Sequence, residues 1–361
     1  MGFFLVDGLG YEPWVISVYS VLALSLTLFA NRQFARRIDG GAPVFPLVGI
    51  AIAGFLAATL SLSALPTIWM VMTIGAVGFG IGSSAVSTMF SLGGSMAERH
   101  EIARSRFNAY MRATTSTAWM IGPAVSFLIA DQIGLRAVFM LSFIVALIWL
   151  TLWWTTLPRD IAAGVKEVPG SDISQASASR QLWLAAGFVF CLSLAHSLTF
   201  TSLPVFYVQE VGLPGYAPGL AFSIKTFVEV FAIFSTPLII SRFGMRPALI
   251  ATTLLAVITI QLLAAVQTFP QMLGAAALEG LYYGLYASLG ISYVQSFATD
   301  RPAQATAMYW NTLMITGLLA GPAVGLIAQV YDFRTVVHTA SGVALVAAAI
   351  LVASRAPSKA G

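Results

Sequence analysis

The chain has 361 residues, of which 58% are hydrophobic and 9% charged, with a mean hydropathy of +0.86. Soluble domains carry about 25% charged residues, so a water-soluble globular protein is excluded, and a single cysteine, Cys191, rules out any disulfide or cysteine metal site within the chain. The net charge of +4 and pI near 9.3 invite a nucleic-acid partner, but the cations are spread over loops between apolar stretches, which argues for none.

Eleven stretches reach the roughly 20 residues that a helix needs to cross a bilayer core of about 30 Å. They run over 13–31, 44–64, 68–97, 106–133, 136–157, 181–208, 216–241, 247–267, 269–298, 304–330 and 334–353. Backbone groups in lipid must be satisfied within the segment, and the alternation of barrel strands is absent, so these are helices. The expected class is all-α and polytopic, with a lipid bilayer as the surrounding partner.

Residues 1–10 show neither the basic region nor the apolar core of a signal peptide, and Asp7 and Glu12 precede the first span. After it come Arg32, Arg36 and Arg37, and further along Arg99, Arg104 and Arg106 share the same side; fourteen of the eighteen Lys and Arg lie on that set of loops or at the C-terminus. Only Arg136 and Arg334 fall on the opposite set, with Arg112 and Lys225 inside spans. The positive-inside rule therefore places the C-terminus and the 158–180 linker in the cytoplasm, and an odd number of spans places the N-terminus outside.

The span over 106–133 contains Arg112, Trp119 and the bend pair Gly122-Pro123. Pro158 to Arg180 is polar and rich in Ser, Gly and Pro, as flexible linkers are. It divides 1–157 from 181–361. In the second part, His196 and Thr199 lie in one span and Lys225 and Glu229 four residues apart in the next, good spacing for an ion pair. Glu279 opens a stripe with Tyr282, Tyr283 and Tyr286, where aromatic faces and a carboxylate would suit a small polar ligand in an apolar cavity. Packing against neighbouring helices is the competing reading of that stripe. Gly317, Gly321, Pro322 and Gly325 form a small-residue face that lets helices approach closely, as do Gly78 with Gly82 and Gly280 with Gly284. His196 lacks a metal-ligand trio, and no phosphate loop, nucleophile elbow or hydrolase carboxylate pair is legible, so no metal, no cofactor and no enzymatic activity are expected.

The chain also repeats itself. Gly122-Pro123-Ala124-Val125 recurs as Gly321-Pro322-Ala323-Val324, and Phe4 to Gly10 resembles Phe206 to Gly212. Parallel repeats are a transporter plan, here two pseudo-symmetric bundles of five and six helices. Residues 181–202 have no first-half counterpart. The simplest reading is a first helix missing from a six-plus-six plan, through a misplaced start codon, a fragment or true loss, with the start codon preferred.

Pro237 to Arg246 is similar to the loop signature Gly-x-Leu-x-Asp-Arg-x-Gly-Arg of the major facilitator superfamily: Arg242, Gly244 and Arg246 match, while Pro237 and Ser241 depart from it. Arg36 to Gly41 is a weaker first-half copy. The stretch Met111 to Pro123 resembles the Met-Arg-Ala-x-x-Ser-x-Ala-Trp-x-Ile-Gly-Pro pattern of bacterial sugar efflux transporters in that superfamily, and the likeness continues through Leu289-Gly290-Ile291, Gln295 and Tyr309-x-Asn311-Thr312. It implies proton-coupled export of sugars or small glycosides across the bacterial inner membrane by alternating access, usually as a monomer. Glu279, Tyr283, Tyr286, Trp119, Asn311 and His196 would then contact the substrate. Arg242, Gly244 and Arg246 would latch cytoplasmic helix ends. Arg112 and Glu229 would form an interface pair that breaks and re-forms. Lys225 has no counterpart in the pattern; if it neutralises Glu229, Glu279 becomes the better proton carrier. The alternatives are a multidrug or other small-molecule exporter of the same superfamily, and a transport-inactive membrane sensor or scaffold.

Overall fold

A computed structural model describes residues 1–99, 104–159, 180–297 and 302–354. Most of the expected linker, 160–179, lies outside the described residues, as does the Arg112 side chain. No strand occurs among the described residues. Helix forms over all eleven expected stretches: α1 (Trp14–Asp39), α2 (Val44–Ala64), α3 (Ile68–Met70) continuing through a π-turn into α4 (Ala76–Arg99), α5 (Arg104–Gln132), α6 (Leu135–Thr156), α7 (Arg180–Val205), α8 (Ala217–Phe243), α9 (Met245–Ala264), α10 (Phe269–Gln295), α11 (Pro302–Val330) and α12 (Phe333–Ala353). Among the described residues nine are long and apolar enough to cross a membrane. The two that fall short are α5 and α10, and of their polar residues Ser116 and Tyr283 line the interior cavity described below.

The helix ends follow local chemistry. Gly41 and Gly244 take positive φ (77° and 83°) where α1 and α8 stop, a conformation that only glycine adopts without strain. Thr268 and Gln271 form a reciprocal capping box on α10. Asp332 caps α12 by accepting from the Thr335 N–H at 2.6 Å, and hydrogen bonding to Thr335, its side chain first and this N–H after it, holds the Asp332 carboxyl below the ordinary aspartate range. Glu210 accepts from two more free N–H groups of the same helix, Phe333 at 2.6 Å and Arg334 at 3.1 Å.

The sequence repeat is also a backbone repeat. The π-helical turn Phe4–Gly8 matches Phe206–Glu210, and the glycine after each turn, Gly10 or Gly212, has φ of 70° or 74°. α4 packs on α1 and α2, and α2 on α6; α10 packs on α8 and α9, and α7 on α11 and α12. Among the described residues, α1 with α11 and α5 with α8 make the extensive contacts that join the first set to the second. Large apolar side chains such as Phe227, Phe231 and Phe234 on α8, or Leu254 and Ile258 on α9, are exposed, as lipid-facing residues of a spanning bundle must be.

Glycine sets the helix spacing. A Cβ on Gly284 would lie 2.5 Å from the Glu229 carbonyl oxygen, and one on Gly280 would overlap the Lys225 carbonyl. α8 and α10 therefore touch backbone to backbone, which small residues permit and larger ones do not.

Candidate functional site

The α1–α11 and α5–α8 contacts are stitched by hydrogen bonds. Ser17 Oγ donates to the Pro322 carbonyl at 2.8 Å, Ser223 Oγ to that of Met120, and the Gly215 N–H to Asp131 Oδ1 at 3.0 Å. Gln329 accepts from the Trp14 N–H at 3.2 Å and donates to Glu12, while Gln209 donates to Asp7 at 3.2 Å. Cβ atoms on Gly321 and Gly325 would overlap Ser20 and Ser17, and one on Gly219 would sit 2.7 Å from the Pro123 carbonyl. The glycine-proline motifs Gly122-Pro123 and Gly321-Pro322-x-x-Gly325 thus lie on both seams. Of the motif glycines, Gly122 and Gly317 face open space.

Between the seams lies a cavity of about 490 Å³. Its wall takes Ser20 from α1, Ser116, Trp119 and Pro123 from α5, and Gly317, Ala320 and Gly321 from α11. α7 contributes His196, Ser197, Phe200 and Thr201; α8 contributes Phe222, Lys225, Thr226 and Glu229; α10 contributes Tyr283. Positions 222, 225, 226 and 229 are one face of a helix.

The expected ion pair is present: Lys225 Nζ lies 2.7 Å from Glu229 Oε2 and 4.1 Å from the centroid of the Tyr283 ring. With 6% of Lys225 exposed, its charge is stabilised by the carboxylate and the aromatic face together. Tyr283 also stacks on His196 at 3.7 Å between centroids. His196 Nδ1 lies 3.0 Å from the Tyr282 hydroxyl and 3.7 Å from Glu279 Oε1. Glu279 is 2% exposed and its Oε1 has no hydrogen-bond partner. A buried acceptor without a donor costs about 1–3 kcal/mol, so this oxygen stands out.

Of the sequence-expected contacts, Trp119, His196 and Tyr283 reach the cavity wall together with Lys225 and Glu229. Glu279, Tyr286 and Asn311 do not line it. Glu279 sits one layer behind, through His196. Tyr286 is 1% exposed and its hydroxyl is taken by Ser193 and the Val189 carbonyl, at 2.5 and 3.0 Å, so it ties α10 to α7. Asn311 lies exposed elsewhere on α11. The Arg112–Glu229 pair involves a side chain outside the described residues. Sequence reasoning missed the hydroxyls of Ser20, Ser116, Ser197, Thr201 and Thr226 and the Phe200–Phe222 ring pair, 4.7 Å apart. The signal for part of this was available, since Phe222 and Thr226 share the helical face of Lys225 and Glu229.

The loop signature acts within 181–361. Gly244 makes the turn from α8 to α9, Arg242 is exposed beside it, and Arg246 Nη2 donates to the Val352 and Ser354 carbonyls at 3.1 and 2.7 Å, tying the start of α9 to the end of α12. Hydrogen bonds from charged groups contribute about 1.5–3 kcal/mol. Arg246→Ala is expected to lower the unfolding free energy by about 2 kcal/mol, read as a lower melting temperature in detergent, with Arg246→Lys intermediate. An unchanged melting temperature would show that the tie carries no stability.

Among the described residues no group of three His, Cys, Asp or Glu is placed to hold a metal ion. The arrangement can bind and orient a polar solute of modest size between two helix sets.

The comparisons with known proteins agree with this geometry. Sugar efflux transporter B of Salmonella typhimurium is 22% identical over 344 residues, covering 93% of this chain and 85% of that protein. Sugar efflux transporter A of Dickeya chrysanthemi is 23% identical over 268 residues, covering 74% and 67%. The crystal structure of the nucleoside transporter NupG superposes with a TM-score of 0.76 at 16% identity, covering 98% of this chain and 93% of that one, a likeness of fold. The family profile of the Major Facilitator Superfamily matches residues 13–239 and 189–361. With helices throughout, a solute cavity between two repeat-related helix sets and that match, the chain belongs to the Major Facilitator Superfamily and is a membrane transporter, not an enzyme.

Proposed function

We propose that this transporter exports sugars or small glycosides from the cytoplasm, driven by proton influx, by rocking the 1–157 and 181–361 bundles about the cavity. The observation that carries the reading is the cavity wall itself. Hydroxyls from Ser20, Ser116, Ser197, Thr201 and Thr226 match a polyhydroxylated solute. Trp119, Phe200, Phe222 and Tyr283 offer faces for sugar C–H surfaces, and the Lys225–Glu229 pair adds a donor and an acceptor without net charge. Few polar groups placed in an apolar cavity are how such sites orient a ligand. The names of the relatives point the same way.

The cation-rich loops face the cytoplasm in this reading, with the C-terminus, and the membrane is the bacterial inner membrane. The hydrogen bonds around Asp7, Glu12, Asp131 and Gln329 then close the outer end. The transporter works as a monomer, and the interface role of Arg112 is kept within this reading. Glu279 carries the coupling proton, reached from the cavity through His196, because protonation would neutralise a buried carboxylate whose Oε1 has no hydrogen-bond donor.

The test separates coupling from binding. In proteoliposomes, Glu279→Gln is expected to keep sugar counterflow within about twofold while losing at least about tenfold of pH-gradient-driven efflux (1.4 kcal/mol per tenfold). Equal loss of both activities would remove Glu279 from the proton path.

A further inference from the structure

Two buried polar atoms of the second half, Glu279 Oε1 and the Tyr207 hydroxyl, have no hydrogen-bond partner among the described residues. Tyr207 is 1% exposed and Glu279 2%. A buried polar atom is costly unless it is satisfied, so each of these calls for a partner. Helix geometry brings the two side chains toward each other. α7 and α10 run antiparallel: Phe188 meets Tyr293, Ser193 meets Tyr286 and His196 meets Tyr282. By that register Glu279 stands level with about residue 199 of α7. Tyr207 follows His196 by about three helical turns, which puts both on the face of α7 that is turned to α10. Helical side chains lean toward the N-terminus of their own helix. Tyr207 therefore leans inward along α7, and Glu279 leans outward along α10. The Tyr207 hydroxyl interacts electrostatically with the Glu279 carboxylate, yet no direct bond joins them. Between their levels α10 carries Ala275 and Ala276, both buried and small. Just beyond Tyr207 the chain surfaces: Gln209 and Glu210 are exposed, and Gln209 donates to Asp7.

We propose that Tyr207 is the outer proton donor to Glu279, acting through internal water held between the Tyr207 hydroxyl and Glu279 Oε1. The proposal rests on the reading of Glu279 as carrier of the coupling proton. Facing polar groups in a buried gap are where proteins hold internal water. A phenol donates and accepts at one oxygen, so it hands a proton on without keeping a charge. A proton from outer water bonds to the phenol oxygen as the phenol's own O–H proton leaves to the internal water. That water gives a proton to Glu279 Oε1, the carboxylate becomes neutral, and rotation of the hydroxyl resets the relay. The other charged and titratable groups around Glu279 are His196 from α7, Tyr282 and Tyr283 on α10, and Lys225 and Glu229 from α8. All of them stand level with Glu279 or on its cytoplasmic side. Influx thus enters at Tyr207 and leaves at His196, on opposite sides of one carboxylate.

Tyr207→Phe keeps the ring and removes the hydroxyl. In proteoliposomes it is expected to keep lactose counterflow within about twofold while pH-gradient-driven efflux falls at least about tenfold (1.4 kcal/mol per tenfold). Infrared difference spectra on acidification supply a readout that a purely structural role would not move. The carboxyl C=O band that vanishes in Glu279→Gln is expected to shift to higher frequency in Tyr207→Phe, because the carboxyl loses hydrogen bonding through the water. An unmoved band overturns the proposal, as does normal driven efflux in Tyr207→Phe. Equal loss of counterflow and driven efflux overturns it too, since the hydroxyl then serves structure alone. Normal driven efflux in Glu279→Gln is a separate result: it removes the proton-carrier reading itself, and the relay with it.

Discussion

Glu229→Ala is expected to abolish transport and to lower stability by about 2–3 kcal/mol, because it strands Lys225. Removing one partner of a buried pair costs about 3–5 kcal/mol, and the lower figure applies here because the Glu229 side chain keeps 19% of its surface exposed. Lys225 is 6% exposed and its Nζ would be left with the Tyr283 ring at 4.1 Å and the more distant Phe200 ring at 5.9 Å. The double variant Lys225→Met with Glu229→Leu removes both charges, and its melting temperature is expected to return near that of the parent. Its transport should stay absent, since the cavity has lost its charged donor and acceptor. Recovery of transport in the double variant would show that the pair serves stability alone.

The second large effect concerns spacing. Gly280→Leu is expected to reduce transport at least about tenfold (1.4 kcal/mol per tenfold) and to destabilise by about 1–3 kcal/mol or more, the usual cost of overpacking. Its first side-chain carbon would overlap the Lys225 carbonyl and lie 3.0 Å from Val228 Cβ, so α10 must move off α8. That movement takes Tyr283 from Lys225 and shifts Glu279 relative to His196. Gly274 is the control on the same helix: nothing lies within 4 Å of an added Cβ, and Gly274→Ala is expected to be neutral or stabilising by about 0.4–1 kcal/mol. Transport rates and melting curves of the two variants, measured side by side, check the pair of expectations. A Gly280→Leu protein with normal transport would mean that the α8–α10 contact does not position the site.

The helices were legible because lipid imposes one solution on the backbone, and apolar length reports it directly. The Lys225–Glu229 pair was legible for a similar reason: two opposite charges one helical turn apart inside a span have few other options. Tyr286 misled because an aromatic stripe spaced by three and four residues wraps partly around a helix. Tyr283 faces the cavity, while the Tyr286 hydroxyl is held by Ser193 and Val189. The serine and threonine hydroxyls of the wall were not legible, since Ser and Thr occur all along these helices and commonly bond their own backbone, as Thr199 does to Ala195. Which of them face the cavity is decided by helix rotation, a property of packing. The functional weight of the repeat was legible in part. It marked two halves, and the structure adds that its Gly-Pro copies, Gly122-Pro123 and Gly321-Pro322, lie on the seams that join them.

The most direct test of the export reading is efflux from proteoliposomes loaded with labelled lactose. With the medium made more acidic than the lumen, lactose is expected to leave faster than at equal pH, and protons to enter with it. Retention of lactose alongside extrusion of a hydrophobic cation under the same gradient would contradict sugar export and assign the cavity to drug-like substrates.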